Sequence, residues 1–309
     1  MQLSSLKDLK QLPNVLGTYR YDYPLYKLAW FKVGGAADLI FIPSDLNDLK
    51  TFLKELPANI KITLIGACSN LLIRDGGIAD VVIKLGKGFT FINKEEDNLV
   101  VGAGALDIVV SKYAQKNNIK GFEFLSGIPG TIGGAIAMNA GAYGRDISDI
   151  LISADVLNRN GDIITLDKKD FIFSYRTAEL DSNLILISAR LKGERGNINL
   201  ISEEMSLIQV SRKNSQPIKK KTGGSTFKNP SDTDLRAWEL IDIAGCRGLT
   251  RGGAMVSNMH SNFLINFFSA SADDIEKLGE EIRLKVLKKT GVSLDWEIKR
   301  IGLKSRGDI

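Results

Sequence analysis

Residues 125–144 read LSGIPGTIGGAIAMNAGAYG, and this stretch decides which fold the chain is expected to adopt. Six of its twenty residues are glycine and four are alanine. Glycine reaches positive φ and lets a ligand or another backbone approach closely, so this density indicates main-chain N–H groups that surround a large polar group. Taken alone, however, such a stretch is more often a set of tight turns in a β-rich domain.

A second glycine-bearing loop lies upstream, where residues 66–71 read GACSNL directly after the apolar, strand-like residues 61–65. Two such loops, each beside an apolar strand, suit a diphosphate-bridged cofactor better than a single phosphate. The two loops together therefore predict a dinucleotide cofactor, which a set of tight turns would not require.

Composition limits the class of protein. The chain has 309 residues, of which 44% are hydrophobic and 25% charged, as in a water-soluble globular protein of two or three domains. No apolar run approaches the roughly 18 residues that span a bilayer, and residues 1–11 lack the apolar core of a signal peptide. We therefore expect a cytoplasmic protein that does not bind a membrane.

Cysteine and histidine usage argues against two kinds of site. Cys68 and Cys246 are far apart and form no C-x-x-C motif, so we expect two reduced packing residues. His260 is the single histidine, which excludes a histidine-rich metal site. We therefore predict that the protein binds no metal ion.

The net charge of +5 leaves two interpretations open. The 36 acidic residues are dispersed among 41 basic ones, and the sharpest basic cluster is Lys219–Lys221. Steering of anionic small-molecule substrates is a sufficient explanation for this charge. Binding to a nucleic acid is the less favoured interpretation, and we expect no nucleic-acid partner.

The order of predicted strands and helices indicates an α+β fold. Asn160-Gly161 predicts a hairpin between two strands. An amphipathic helix is expected over residues 106–117, with Leu106, Val109, Val110 and Tyr113 facing the core. A second helix is expected over residues 273–289, ended by Gly291. A final strand is expected over residues 294–301.

Six ordered motifs carry a more specific signal. They are GACSNLLIRDGG (66–77), SGIPGTIGGAIAMNAGAYG (126–144), SYRTAEL (174–180), TGGSTFKNP (222–230), GGAMVSNMHSNFLIN (252–266) and DWEIKRIG (295–302). Together they resemble the UDP-N-acetylenolpyruvoylglucosamine reductase (MurB) family of bacterial peptidoglycan synthesis. The stretch between Trp238 and His260 is compact, so the chain resembles the shorter, second type of that family.

The resemblance implies a fold and a domain organisation. The family combines a two-subdomain FAD-binding module of the vanillyl-alcohol-oxidase type with a C-terminal α+β domain that binds the substrate. By this resemblance the domains are residues 1–86 with the tail 294–309, residues 87–198, and the substrate-binding residues 199–293. A monomer is expected.

The resemblance also implies non-covalent FAD, because neither glycine loop contains a histidine, and NADPH as the hydride donor. The first loop of the family usually reads Gly-Gly-Gly-Ser-Asn, so Ala67 and Cys68 leave its φ angles open. The residues that bind FAD by this resemblance are Gly66, Ala67, Cys68, Ser69, Asn70, Leu71, Ser126, Gly127, Ile128, Pro129, Gly130, Thr131, Gly133, Gly134, Ala137, Asn139, Gly141 and Gly144.

Three residues match the catalytic positions of the family. Ser225 corresponds to the proton donor, Arg176 to the arginine that faces the substrate carboxylate and the developing enolate, and Glu297 to an essential glutamate. Taken singly, they read as a turn serine, a solvated arginine and an exposed edge-strand charge. The resemblance places further substrate contacts at Tyr175, Arg176, Lys228 and Asn229.

The implied reaction reduces the enolpyruvyl ether of UDP-N-acetylglucosamine to UDP-N-acetylmuramate, with hydride from N5 of reduced FAD. Two alternative functions remain open. One is an FAD-dependent sugar or alcohol oxidase of related fold. The other is a non-enzymatic nucleotide- or RNA-binding protein, suggested by the basic balance of the chain.

Overall fold

The computed structural model describes residues 12–305, so residues 1–11, to which the expectation of no signal peptide applies, lie outside it. The chain forms two compact units, each made from separated segments. The first unit comprises the described residues up to Tyr21 together with Leu39–Ala67 and Asp80–Ser211, and the second comprises Asp22–Asp38, Cys68–Ala79 and the residues from Arg212 onward. Two hydrophobic cores lie in the first unit and one in the second. The three-part division expected from the sequence stays a prediction.

The described chain alternates short strands with a few longer helices. The helices are α1 (Leu46–Glu55), α2 (Asp107–Lys116), α3 (Ile132–Ala137), α4 (Ile198–Ser215), α5 (Ala237–Ile243) and α6 (Ala272–Thr290). The strands are β1 (Thr18–Pro24), β2 (Ala36–Ile42), β3 (Ile62–Ile65), β4 (Leu71–Ile73), β5 (Ile78–Lys84), β6 (Ile92–Glu95), β7 (Asn98–Gly102), β8 (Ile119–Lys120), β9 (Gly141–Ala142), β10 (Arg145–Asp146), β11 (Leu151–Leu157), β12 (Ile163–Asp167), β13 (Ile172–Ser174), β14 (Thr177–Glu179), β15 (Ile185–Leu191), β16 (Glu194–Arg195), β17 (Thr250–Arg251), β18 (Ala254–Val256), β19 (Leu264–Asn266) and β20 (Lys299–Ile301).

Two sheets form the framework of the first unit. One has five antiparallel strands in the order β12-β11-β15-β7-β6, and the other has the order β1-β2-β5-β3 with β3 and β5 parallel. The predicted hairpin is confirmed: β11 and β12 are joined by a tight turn in which Gly161 has a φ of +81°. Helix α1 begins after Asp45, whose side chain accepts a hydrogen bond from the Asp48 N–H.

The orientation of helix α2 agrees with the prediction only in part. Of the four residues expected to face the core, Val110 is buried and Tyr113 is half-buried, but Leu106 and Val109 are 45% and 47% exposed. The reason is local backbone pairing. Leu106 forms a bridge with Thr131, and the Asp107 N–H donates to the Gly130 carbonyl, which fixes the rotation of the helix start against the glycine-rich segment.

The second unit is organised around α6. This helix is capped at its start by Ser271 and ends at Gly291, which has a φ of +77°, as the sequence predicted. It packs beside α5 and the three-stranded sheet β17-β18-β19. The predicted strand over residues 294–301 is shortened to β20, because Trp296 pairs with Phe227 instead of continuing along β4. Within residues 12–305 we find no helix with the length and apolarity that a bilayer crossing requires.

Candidate cofactor and active site

Within the first unit, Gly66 of the first glycine loop lies against Thr131 of the second loop. A Cβ atom built on Gly66 would come within 2.6 Å of the Thr131 Oγ1 atom. Thr131 is the N-cap of α3, and its hydroxyl accepts a hydrogen bond from the Gly134 N–H. A side chain at residue 66 would therefore separate the loops, which explains physically why glycine stands there.

The second loop is held from behind and contains a buried polar atom without a partner. Ser126 lies in a 3₁₀ turn over Glu123–Gly127, and its carbonyl accepts a hydrogen bond from the Gln209 amide of α4. Its own hydroxyl is buried and has no hydrogen-bond partner within residues 12–305. A buried hydroxyl of this kind is costly unless another group satisfies it, so this loop fits a polar ligand.

Asp107 lies beneath the same loop, and sequence reasoning missed it. The side chain is fully buried, and a Cβ on Gly130 would lie 2.7 Å from its Oδ2 atom. Neither carboxyl oxygen has a hydrogen-bond partner in the described part of the chain. Burial raises the pKa of this carboxyl well above its usual range, and the nearby Gly130 N–H offsets only part of that rise. The sequence did contain a signal for this residue, because Asp107 is the single charged residue in the otherwise apolar stretch LDIVV (106–110).

The first loop adopts a left-handed backbone without glycine. Cys68 is buried and has a φ of +55°. The loop therefore keeps a positive φ at this position although cysteine replaces the family's usual glycine. Cys68 and Asn70 both belong to the second unit. Asn70 donates from its side-chain amide to the Glu297 carbonyl, at 3.1 Å, and its own carbonyl accepts a hydrogen bond from the Lys299 N–H.

Ser225 and Glu297 are brought together by backbone pairing in the second unit. Phe227 and Trp296 form an antiparallel bridge. On one side of it the Glu297 N–H donates to the Thr226 carbonyl at 2.9 Å. Ser225 therefore stands one residue from the pairing partner of Glu297, and both side chains are part-buried. Nothing in the spacing of the two motifs indicated that they would pair.

Asn262 supports this pairing from below, and the sequence analysis gave it no role. Its side-chain amide accepts from the Phe227 N–H and donates to the Phe227 carbonyl, both at 2.9 Å, and its carbonyl accepts from the Thr226 N–H. The side chain is 5% exposed, so these bonds are made away from water. The segment after Ser225 is thus fixed on two sides.

The turn before Ser225 is built on two glycines with different tasks. Gly223 lies on the ring of Phe31, which a Cβ at that position would overlap. Gly224 has a φ of +86° and open space around it, so its requirement is conformational. Thr222, just before this pair, has a buried hydroxyl with no partner in the described chain.

Trp296 fixes the strand that carries Glu297. Its ring lies on Gly279 of α6, where a side chain would overlap it, and its N–H donates to Glu280 at 2.8 Å. The Arg300 guanidinium stacks over the ring at 4.6 Å. The same arginine contacts Glu276, which also makes a two-bonded pair with Arg74 that lowers the pKa of Glu276.

Arg176 lies in the first unit, at the tip of the β13–β14 hairpin. Ser174 pairs with Thr177, so Tyr175 and Arg176 form a two-residue loop. Arg176 has a φ of +57°, which is uncommon for a residue with a side chain. Its Nη1 atom lies 3.2 Å from the position a Cβ on Gly141 would take, so its guanidinium rests on the glycine-rich segment.

The other residues predicted to contact the substrate have varied surroundings. Tyr175 is half-exposed, and its ring lies under the Arg176 guanidinium. Lys228 donates its N–H to the Asp295 carbonyl. Asn229 accepts from the Ala237 N–H at 3.0 Å through its side chain, and so satisfies the first turn of α5.

Among the other predicted cofactor residues, several serve close packing. Gly127 lies against the Tyr143 ring, and Gly133 against Ala103 of the neighbouring strand end. Gly144 has a φ of +81°, and nothing lies near the place of its missing side chain. The remaining predicted positions, Ala67, Ser69, Leu71, Ile128, Pro129 and Ala137, lie at intermediate or exposed positions of the same two segments.

A cavity of about 400 Å³ lies elsewhere in the first unit. Its walls include Lys120, Glu123, Arg145 and Glu204, and it contains none of the predicted site residues. Burial and the Glu123 carboxylate raise the pKa of Glu204. Charges of both signs line this cavity, so it offers no field that favours an anionic nucleotide.

His260 and the two cysteines behave as packing residues. The His260 ring contacts Trp238 and Phe263, and its Nδ1 atom accepts a hydrogen bond from the Asn262 N–H. Burial, followed by the nearby Arg247, lowers the pKa of His260, which favours the neutral ring. Both cysteines are free and buried, as expected.

Comparison with known proteins identifies the family. An FAD-binding domain model matches residues 37–167, and the model of the UDP-N-acetylenolpyruvoylglucosamine reductase C-terminal domain matches residues 216–301. The reductase of Gluconobacter oxydans is 50% identical over 92% of this chain and 92% of its own length, and that of Rickettsia typhi is 48% identical over 94% and 98%. The chain belongs to the UDP-N-acetylenolpyruvoylglucosamine reductase family.

A solved structure of the family agrees with the fold. The reductase from Thermus caldophilus has a TM-score of 0.80 at 30% identity, covering 94% of this chain and all of its own. The predicted family, the α+β fold with an FAD-binding module and a C-terminal domain, and the assignment as an FAD- and NADPH-dependent oxidoreductase are therefore confirmed. The oxidase and RNA-binding alternatives are set aside.

Proposed function

We propose that this chain reduces the enolpyruvyl ether of UDP-N-acetylglucosamine to UDP-N-acetylmuramate, a step of peptidoglycan precursor synthesis, in the bacterial cytoplasm and as a monomer. The observation that carries the proposal is the backbone bridge that sets Ser225 beside Glu297, in a chain whose relatives are named for this reduction. The proposal includes that the chain is of the shorter, second type of the family.

FAD would be held without a covalent bond by residues 66–71 and 126–131. The close approach of Gly66 to Thr131 and the unpartnered hydroxyl of Ser126 support this role. Main-chain N–H groups in such loops bind anions without a side-chain cation. When bound, FAD supplies hydride transfer between NADPH and the substrate.

Arg176 would bind the substrate carboxylate and stabilise the negative charge that develops on it. A guanidinium presents two parallel N–H donors to a carboxylate, and charge-assisted bonds of this kind are the stronger ones. A donor that is already in place when charge develops typically contributes about 3–4 kcal/mol to lowering the barrier. The hairpin conformation and the surface of Gly141 hold this side chain before substrate arrives.

Ser225 would give the proton that completes the reduction, at the carbon next to the one that receives hydride. A free serine is a poor acid, so its placement must compensate. Its backbone is fixed by the Gly223-Gly224 turn on one side and by the bridge to Trp296 on the other. Glu297, on the neighbouring strand position, would assist through a hydrogen-bonding carboxyl.

Tyr175, Lys228 and Asn229 complete the proposed substrate site. The cation of Lys228 suits the anionic UDP-sugar, and the aromatic ring of Tyr175 is accessible beside Arg176. Because Asn229 already holds the start of α5, its contribution would come through the position it gives to this loop.

Purified protein tests the proposal in two steps. We expect visible flavin absorption that is bleached by anaerobic NADPH and restored when the enolpyruvyl UDP-sugar is added. A colourless protein that binds no added FAD would overturn the proposed cofactor site. Bleaching by NADPH without recovery on addition of the enolpyruvyl UDP-sugar would overturn the proposed substrate. Rapid recovery with oxygen and a simple sugar instead would restore the oxidase interpretation.

A further inference from the structure

Asn139 connects the glycine-rich segment to the hairpin that carries Arg176. It is 4% exposed, and its side-chain amide donates to the Ser174 carbonyl at 3.2 Å. Ser174 is the last strand residue before the loop of Tyr175 and Arg176. The bond is therefore made to the base of the loop whose tip carries the arginine.

The amide of Asn139 is fixed by two further bonds, so it is itself a rigid anchor. Its nitrogen also donates to the Asp146 carboxylate at 3.2 Å, and its oxygen accepts from the Ser148 N–H at 3.1 Å. Asp146 in turn accepts from the Ser148 hydroxyl and donates its N–H to Asp149. An asparagine with three of its four bonding positions used cannot rotate without losing several bonds at once.

The same segment also supports the guanidinium. Gly141, two residues after Asn139, lies beneath the Nη1 atom of Arg176 and has no room for a side chain because of Arg145 and Asp146. Residues 139–141 thus contact the hairpin twice: Asn139 binds its backbone, and Gly141 lies against the Arg176 guanidinium. The φ of +57° at Arg176 indicates a conformation that its surroundings must maintain.

We infer that Asn139 is the positioning residue for Arg176, acting on the reduction of substrate through the hairpin. This inference rests on the proposed function, because it takes Arg176 as the group that meets the substrate carboxylate. The family resemblance had assigned Asn139 to the cofactor, a role that its side-chain bonds do not require. A misplacement of about 1 Å can cost about a hundredfold in rate.

The test uses the holoenzyme and measures the two half-reactions separately by rapid mixing. Asn139→Gly removes the side chain but tolerates the φ of +39° at this position. We expect flavin reduction by NADPH to stay within about twofold of the wild-type rate, and reoxidation by the enolpyruvyl UDP-sugar to slow about tenfold to a hundredfold. Asn139→Asp, which keeps the acceptor and loses the donors, should show the same pattern if the glycine variant does not fold.

A double-mutant cycle separates positioning from general support. In an Arg176→Ala background, Asn139→Gly should slow reoxidation by less than about twofold further, because the group it positions is already gone. If the double variant slowed reoxidation by the product of the two single effects, the inference would be overturned. Normal reoxidation in both Asn139 variants would overturn it as well. An Arg176→Ala enzyme with normal reoxidation would instead overturn the proposed role of Arg176.

Asn158 supplies the matched control. It also holds a hairpin turn, since its side-chain oxygen accepts from the Asn160 and Asp162 N–H groups between β11 and β12. Asn158→Gly should lower thermal stability and leave both half-reaction rates unchanged. If it slowed reoxidation as much as Asn139→Gly does, loss of general rigidity would explain both variants and the inference would fail.

Discussion

Arg176 adopts a φ of +57°, whereas beside Ser225 the left-handed backbone falls on Gly224, at +86°. In the first turn one residue provides both the proposed catalytic side chain and the unfavourable backbone. In the second turn these tasks are divided between neighbours. The first arrangement ties function to strain, at a cost of about 1 kcal/mol, and the second avoids that cost. The two turns should therefore respond differently to substitution.

The largest effect is expected at the unstrained turn. Ser225→Ala should leave flavin reduction by NADPH nearly unchanged and slow reoxidation by substrate about 10²- to 10⁴-fold, because the proton donor is lost. Thermal stability should change little. Rapid mixing with the isolated half-reactions measures both rates. Ser293→Ala, at an exposed serine of the same unit, is the control. Equal slowing of both half-reactions would count against the proton-donor role.

Arg176→Gly separates function from strain. We expect reoxidation to slow about 10²- to 10³-fold, since a preorganised donor is removed, while the free energy of unfolding stays equal or rises by up to about 1 kcal/mol. Thermal unfolding of the holoenzyme provides the second measurement, and Arg176→Ala, which keeps the backbone strain, is the matched variant. A clear loss of stability in the glycine variant alone would show that the arginine side chain outweighs its strained backbone.

The two glycines before Ser225 should differ in what they tolerate. Gly223→Ala must displace the buried Phe31 ring and should cost about 2–3 kcal/mol in the free energy of unfolding. Gly224→Ala meets open space, so only the positive φ opposes it, at about 1 kcal/mol. Denaturant unfolding of both variants measures the difference. An equal cost at the two positions would contradict the division of tasks described above.

The smallest effect concerns the support beneath the loops. Asn262 under the Ser225 segment makes two side-chain hydrogen bonds, whereas Asp107 under the cofactor loop has no partner within the described residues. Burial raises the pKa of Asp107, so the neutral form is favoured in the folded state; the stability it confers is complete below about pH 4 and is lost as pH rises.

Asp107→Asn should therefore stabilise the protein more at pH 8 than at pH 5. Thermal unfolding of the holoenzyme at both pH values measures this difference. Asp162→Asn, at an exposed carboxylate of the same unit, is the matched control for the substitution. A stabilisation by Asp107→Asn that is equal at the two pH values would mean that ionisation of this carboxyl is not what limits stability.

Local signals predicted local structure well. The Asn160-Gly161 hairpin, the long α6 helix and its Gly291 terminus follow from turn chemistry and periodicity, which act over a few residues. The rotation of α2 could not be predicted in the same way. It depends on the pairing of Leu106 with Thr131, a contact between segments that periodicity does not reveal.

For the candidate site, too, the sequence predicted individual residues but not the contacts between distant segments. Motif resemblance indicated Arg176, Ser225 and Glu297, but not the Phe227–Trp296 bridge near the last two or the supporting bonds of Asn139 and Asn262. Those bonds join residues separated by tens of positions, and a buried asparagine reads in a sequence like any other. The glycine-rich segment drew attention to a ligand, whereas Asn139 within it serves a distant hairpin.

The parallel pair β4–β20 has a consequence for how the protein is made. Asn70, next to β4, reaches its partner Glu297 only 227 residues later. At a translation rate of about 5–20 residues per second, this edge leaves the ribosome on the order of ten to forty seconds before the chain that completes it. The core of the second unit also includes Phe31 and Leu72, which residues 216–301 alone would lack. In this chain that core therefore needs both early and late segments, and it is complete only when synthesis is nearly finished.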